Sequence, residues 1–252
     1  MILVGDIGGT KTVLAIYQAK DNHWECLRKQ QFDSNGYAEF DDLLNEFVDD
    51  ETGKLSSACI GVAGPVVNGD CVTTNLPWSL KAGEIGGFLD TSRVKLLNDL
   101  EAAAWGVPEL DESEIAALNP LAEKKPVGHM AVIAAGTGLG EAVLFRDGDE
   151  LHAMATEGGH TDFAANSEQE DALLKFLRTK YSGHVSYERV VSGEGLVNIY
   201  QFLKSQGRYT ESQVIEQQMT GEDPASVIGK AGVAGKDDLC VEALRLFCKI
   251  YG

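Results

Sequence analysis

The sequence predicts an α/β fold in two units, and three observations carry that expectation. The chain has 252 residues, room for one large domain or two smaller ones with separate cores. An apolar strand, a glycine-rich turn with a threonine, and a second apolar strand occur twice, as MILVGDIGGTKTVLAIY (1–17) and MAVIAAGTGLGEAVLF (130–145). Elsewhere, apolar residues recur at helical spacing.

Each element follows from its own stretch. Residues 2–6 are an apolar run ending at Asp6, Gly8 and Gly9 make a tight turn, and Thr12–Tyr17 is apolar again. Trp24–Phe32 reads as a third strand. Over Tyr37–Asp50, the positions Phe40, Leu43, Leu44, Phe47 and Val48 have the period of a helix. Ala58–Val62 is a buried strand closed by the turn Ala63-Gly64-Pro65. Val94–Leu97 is another strand, and from Asn98-Asp99 a helix runs to Trp105, stopped by Gly106 and Pro108. That stop divides residues 1–108, a smaller α/β lobe, from 109–252, a larger one. Beyond Phe163 the chain turns helical, over Ser167–Thr179, Glu194–Leu203 and Leu239–Ile250.

The net charge of −18 argues against nucleic acid or an anionic membrane as partner, since both select basic surfaces. An anionic small ligand stays open, because backbone N–H groups bind phosphate without net positive charge. The start lacks a charged leader segment, and no apolar run is long enough to span a bilayer. Cys26, Cys59, Cys71, Cys240 and Cys248 form no C-x-x-C pair, which suits reduced thiols in a cytoplasmic protein and disfavours a cysteine zinc site.

Two features carry chemistry. The turns at Gly8-Gly9-Thr10 and at Gly136-Thr137-Gly138, the latter continuing to Gly140, each expose several N–H groups to one point. The plain alternative is a hairpin that needs positive φ. No G-x-x-x-x-G-K-[ST] motif exists, and GTGLG has the wrong spacing for a dinucleotide fingerprint. Two matched turns instead suit one nucleotide gripped at its phosphates from both sides. The stretch Thr156–Phe163, TEGGHTDF, packs Glu157, His160 and Asp162 around two glycines. Metal binding, acid–base chemistry and a polar substrate are all conceivable for it. The other histidines show no H-x-x-x-H pairing with His160, which disfavours zinc, and no G-x-S-x-G elbow supports a hydrolase.

GDIGGT, LLND, AAGTGLG, EGGHTDF with the NSE that follows it, and HVSYERVVSGEGLVNIY together resemble bacterial glucokinase of the proteobacterial type, in that family's order and spacing. EGGH also fits the ROK kinases, but the cysteine-rich zinc motif of that group is absent. The resemblance implies a two-lobed actin-like ATPase (ribonuclease H-like) fold and transfer of the γ-phosphoryl group of ATP, with Mg2+, to the 6-hydroxyl of glucose. It implies that Gly5, Asp6, Ile7, Gly8, Gly9 and Thr10 form the first phosphate loop, with Asp6 near the magnesium or its waters, and Gly136, Thr137 and Gly138 the second. Asn98 and Asp99 would meet the sugar, Asp99 as catalytic base, and Glu157, His160 and Glu188 would hold other hydroxyls. The two glycines of TEGGHTDF would let that loop approach the ring.

Without the resemblance, Asn98-Asp99 reads as a helix cap, Glu188 as a solvated residue and His160 as a structural histidine, while Asp162 is expected to support the loop. Family members of this kind continue past the point where the chain stops, so the second lobe is expected to be incomplete at its C-terminal end. A homodimer is the assembly the resemblance implies. A non-catalytic sugar-binding or sensor protein, an inactive kinase fragment and a kinase for another hexose are the alternative functions.

Overall fold

Five strands make the first sheet of this computed structural model, which describes residues 1–21, 23–49, 53–73, 76–119 and 128–252. β1 (Ile2–Ile7), β2 (Lys11–Lys20) and β3 (His23–Asp33) form an antiparallel meander, and β4 (Ser57–Val62) and β7 (Val94–Asn98) extend it in parallel, in the order β3-β2-β1-β4-β7. Along β1 burial alternates, with Leu3 and Ile7 buried and Ile2, Val4 and Asp6 more open. Leu3, Leu14 and Ile60 are wholly buried with the α1 residues Leu43, Leu44 and Phe47 (α1, Phe40–Phe47). Helix α1 is shorter than the Tyr37–Asp50 expectation. Glu39 is still extended, Val48 leaves the helix with ψ 107, and Asp50 lies outside the described residues.

Between these elements lie the two-stranded ribbon β5 (Asp70–Val72) and β6 (Ser79–Lys81) and helix α2 (Ala82–Phe88). After β7, Asn98 caps α3 (Asp99–Gly106) by accepting from Leu100 N at 3.0 Å and Glu101 N at 3.3 Å. A 3-10 turn, Val107–Glu109, ends that run at Pro108, as expected.

A second sheet has the order β10-β9-β8, from β8 (Met130–Ala135), β9 (Leu139–Asp147) and β10 (Glu150–Thr156). Each glycine-turn hairpin is therefore followed by a third strand. Five helices complete the chain: α4 (Glu168–Lys180), α5 (Gly193–Ser205), α6 (Gln213–Gly221), α7 (Pro224–Val233) and α8 (Asp238–Tyr251). Leu173, Ile199, Phe202, Ile228, Ala243 and Leu246 form their shared core. A Cβ at Gly232 would lie 2.8 Å from Cys240 O, so glycine sets how closely α7 and α8 cross.

The compact units are Met1–Val132 with Ala142–Ala155, and Ile133–Glu141 with Thr156–Gly252. This division departs from the expected one after Pro108. The reason is a small core in which Leu100, Ala104 and Val107 pack with Met130, Val132, Ala142, Leu144 and Leu151. The helix placed at the end of the first lobe thus shares its apolar face with the strands that follow. All five cysteines are free, and burial together with Asp237 pushes the Cys240 thiol up to about 12.

Candidate active site

The predicted site residues fall in two sets, one in each compact unit. In the first unit β1 delivers Gly5, Asp6 and Ile7 to the turn, and Gly8 N closes the turn on Lys11 O at 2.9 Å. Gly5 has a packing reason: a Cβ there would lie 2.9 Å from Leu14 Cδ2 and 3.1 Å from Ile60 Cγ2. Asp6 pairs in register with Gly61 of β4. A Cβ at Gly61 would meet Ala102 Cβ at 3.1 Å and Asp99 Cα at 3.9 Å. Glycine at 61 therefore lets α3 lie against β4 and brings Asp99 toward Asp6. Sequence reasoning did not single out Gly61, because its demand comes from a helix that packs on it.

The pairing has an electrostatic consequence. Although Asp6 keeps solvent exposure, partial desolvation raises its carboxyl from the ordinary value, and the Asp99 carboxylate pushes it the same way. Such a pair attracts a cation. Magnesium is held by one or two carboxylates plus substrate phosphates and waters, without a full protein cage. Among the described residues no group of three or more His, Cys, Asp or Glu side chains is placed to hold a metal alone. The Asp6 and Asp99 carboxylates are of the kind that holds magnesium together with the phosphates of a nucleotide.

Asn98 is largely committed to the fold. Its Oδ1 caps α3, and its Nδ2 donates to Gly64 O at 3.2 Å, leaving one N–H for anything else. Asp99 occupies the first position of α3, and its Oδ1 accepts from Leu100 N at 2.9 Å.

In the second unit the structure brings Glu157, His160 and Glu188 together. A short backbone ladder does this: Phe163 N donates to Val185 O at 2.8 Å, Tyr187 N to Thr161 O at 3.0 Å, and Asp162 bridges Ser186. The ladder sets the 3-10 turn Gly158–His160 beside the 3-10 turn Tyr187–Arg189. His160 Nε2 is 3.6 Å from Glu157 Oε2 and its Nδ1 is 3.9 Å from Glu188 Oε1. Both distances exceed hydrogen-bond length, so these polar atoms are not spent on one another. The His160 and Glu157 side chains are 59% and 81% exposed.

Glu188 is pinned by its other oxygen. Oε2 accepts from Leu139 N at 3.1 Å, and a Cβ at Gly138 would lie 2.5 Å from it. Gly138 thus makes room for Glu188, whereas nothing lies within 4 Å of a Cβ at Gly136. Gly8, Gly136 and Gly138 all lie outside the left-handed region, so the positive-φ explanation does not account for them. Gly136 O accepts from Gly193 N at 2.8 Å, which ties this turn to the start of α5.

The glycines of TEGGHTDF have packing neighbours within the protein. A Cβ at Gly159 would collide with the carbonyl oxygen of Leu139, and one at Gly158 with the Glu141 carboxylate. Gly159 is therefore required for the turn to pack on the backbone of β9, whereas Gly158 faces the movable end of the Glu141 side chain. Asp162 joins the loop to Ser186 through its backbone alone.

A family model described as Glucokinase matches residues 3–252. The chain is 36% identical to a glucokinase of Nostoc sp. over 267 residues, covering 100% of this chain and 78% of that one. It is 33% identical to a glucokinase of Photorhabdus laumondii over 253 residues, with 99% of this chain and 74% of the other covered. The crystal structure of glucokinase from an Antarctic psychrotroph superposes with TM-score 0.83 at 28% identity, covering 99% of this chain and 76% of that one.

Proposed function

The chain belongs to the glucokinase family, and from that membership we propose ATP-dependent phosphorylation of glucose at its 6-hydroxyl, with Asp99 as the base. The observation that carries the residue assignment is the cluster of Glu157, His160 and Glu188, whose open polar atoms suit vicinal sugar hydroxyls. Each hydroxyl both donates and accepts, so carboxylates beside an imidazole satisfy it in either sense. With Oε2 held by Leu139 N, Glu188 offers Oε1 to the sugar from a fixed position. Asn98 contributes its one uncommitted N–H.

The two glycine turns, Gly5–Thr10 and Gly136–Gly138, bind the phosphates of ATP through the backbone N–H groups they leave open, since Gly8 N and Gly136 N are already spent on Lys11 O and Gly138 O. Asp99 accepts the proton of the 6-hydroxyl as that oxygen attacks phosphorus. Its place at the first turn of α3, with β7 and Gly61 behind it, fixes the carboxylate on rigid elements. Asp6 holds magnesium, directly or through water, and the ion when bound neutralises phosphate charge. A homodimer belongs to the same reading.

An ADP-coupled assay over a sugar panel tests this. ADP should form with glucose and not with 6-deoxyglucose. Equal ADP formation with both would show that the 6-hydroxyl is not the acceptor.

A further inference from the structure

Three consecutive carbonyl groups of the first glycine turn accept hydrogen bonds from a single 3-10 turn, Ser34–Gly36. Gly8 O accepts from Ser34 Oγ at 2.9 Å, Gly9 O from Asn35 Nδ2 at 3.5 Å, and Thr10 O from Ser34 N at 3.0 Å. Ser34 is wholly buried, as is Thr12, whose hydroxyl lies 2.9 Å from the Ser34 hydroxyl. A hydroxyl has one proton. Ser34 gives its proton to Gly8 O, so Thr12 donates to Ser34, and the order runs from Thr12 through Ser34 to the Gly8 carbonyl.

A trans peptide points the carbonyl of one residue opposite the N–H of the next. With the Gly8 and Gly9 carbonyls tied to the 3-10 turn, the Gly9 and Thr10 N–H groups face the other way. Among the described residues neither N–H meets a protein acceptor. We propose that Ser34, oriented by Thr12 and aided by Asn35, is a positioning residue that holds the Gly8–Thr10 backbone with its N–H groups presented to the phosphates of the nucleotide. The proposal rests on the reading of Gly8–Thr10 as a phosphate loop.

Steady-state kinetics with each substrate varied in turn test it. Ser34→Ala should raise the KM for ATP by about tenfold, the scale of one buried hydrogen bond lost, and leave the KM for glucose within about twofold. Ser34→Thr, which keeps the hydroxyl, should restore most of the loss. Asn35→Ala, on the exposed side of the turn, should give a smaller rise confined to ATP, and it decides the matter if Ser34→Ala does not fold. Gly9→Val reports on the loop itself. An unchanged KM for ATP in the Ser34 and Asn35 variants, with a raised one in Gly9→Val, overturns the positioning role and leaves the phosphate-loop reading standing. An equal rise in both substrates' KM overturns it too. No effect of Gly9→Val on ATP would remove the phosphate-loop reading and this proposal with it.

Discussion

Gly159→Ala should damage glucose use although Gly159 itself offers no side chain to the sugar. The new Cβ would collide with Leu139 O and lie 3.0 Å from Leu139 Cβ and 3.2 Å from the Leu139 carbonyl carbon. These atoms belong to β9 or sit next to its backbone, so none can swing aside. The 3-10 turn Gly158–His160 must instead retreat by roughly 1 Å to regain ordinary contact. Overpacking of this kind costs about 1–3 kcal/mol. At about 2–4 °C per kcal/mol for a chain this long, the Tm should fall by roughly 2–12 °C. His160 is the next residue, and a displacement near 1 Å lowers kcat/KM for glucose by about 100-fold. Gly158→Ala is the control, because its Cβ meets the flexible end of Glu141 and Thr156 Oγ1 at 3.3 Å. Its kcat/KM should stay within about twofold of the parent. Thermal melts and steady-state kinetics on both variants settle the point. If the two alanines behave alike, or if Gly159→Ala keeps the parent KM for glucose, the packing argument is wrong.

Two further outcomes follow from the first unit. Asp6 has a raised pKa in the folded protein, so the stability its protonated form contributes is present below the ordinary value of 3.8 and lost as pH rises through the raised one. Asp6→Asn should therefore melt higher than the parent at neutral pH without ligand, lose that advantage below pH 3.8, and turn over more slowly. Equal melting at neutral pH would contradict the burial argument. Gly61→Val should push α3 off β4 through Ala102, lowering turnover by about 100-fold while glucose still raises the Tm, and unchanged turnover would show that Gly61 does not set the position of Asp99.

The sequence made the elements with long apolar runs legible, because their periodicity reflects burial directly. β1, β2, β4, β7 and α3 lie where the pattern placed them. β10 was missed since ELHAMAT is mostly exposed or half-buried, and α2 since AGEIGGF holds three glycines that weaken any helical reading. α7 announces itself only through Asp223-Pro224, a cap and first-turn proline, while Gly229 and Gly232 blur its apolar face. The candidate site divides in the same way. Glu157, His160 and Glu188 could be picked out by residue type and motif. The purposes of Gly138 and Gly159 could not, because each is set by an atom distant in sequence. Ser34 and Thr12 carry no local sign of their relation to Gly8, since a buried hydroxyl pair looks like any serine and threonine until the strands are paired.

The most direct test of the account is Asp99→Asn, measured for both glucose binding and ADP formation. The amide keeps the shape of the side chain and its place at the start of α3 but cannot accept the 6-hydroxyl proton. Glucose should still raise the Tm of the variant nearly as much as that of the parent. ADP formation should fall by about 100- to 10,000-fold, the scale of general-base catalysis. Turnover near the parent rate would contradict the assignment of Asp99 as the base.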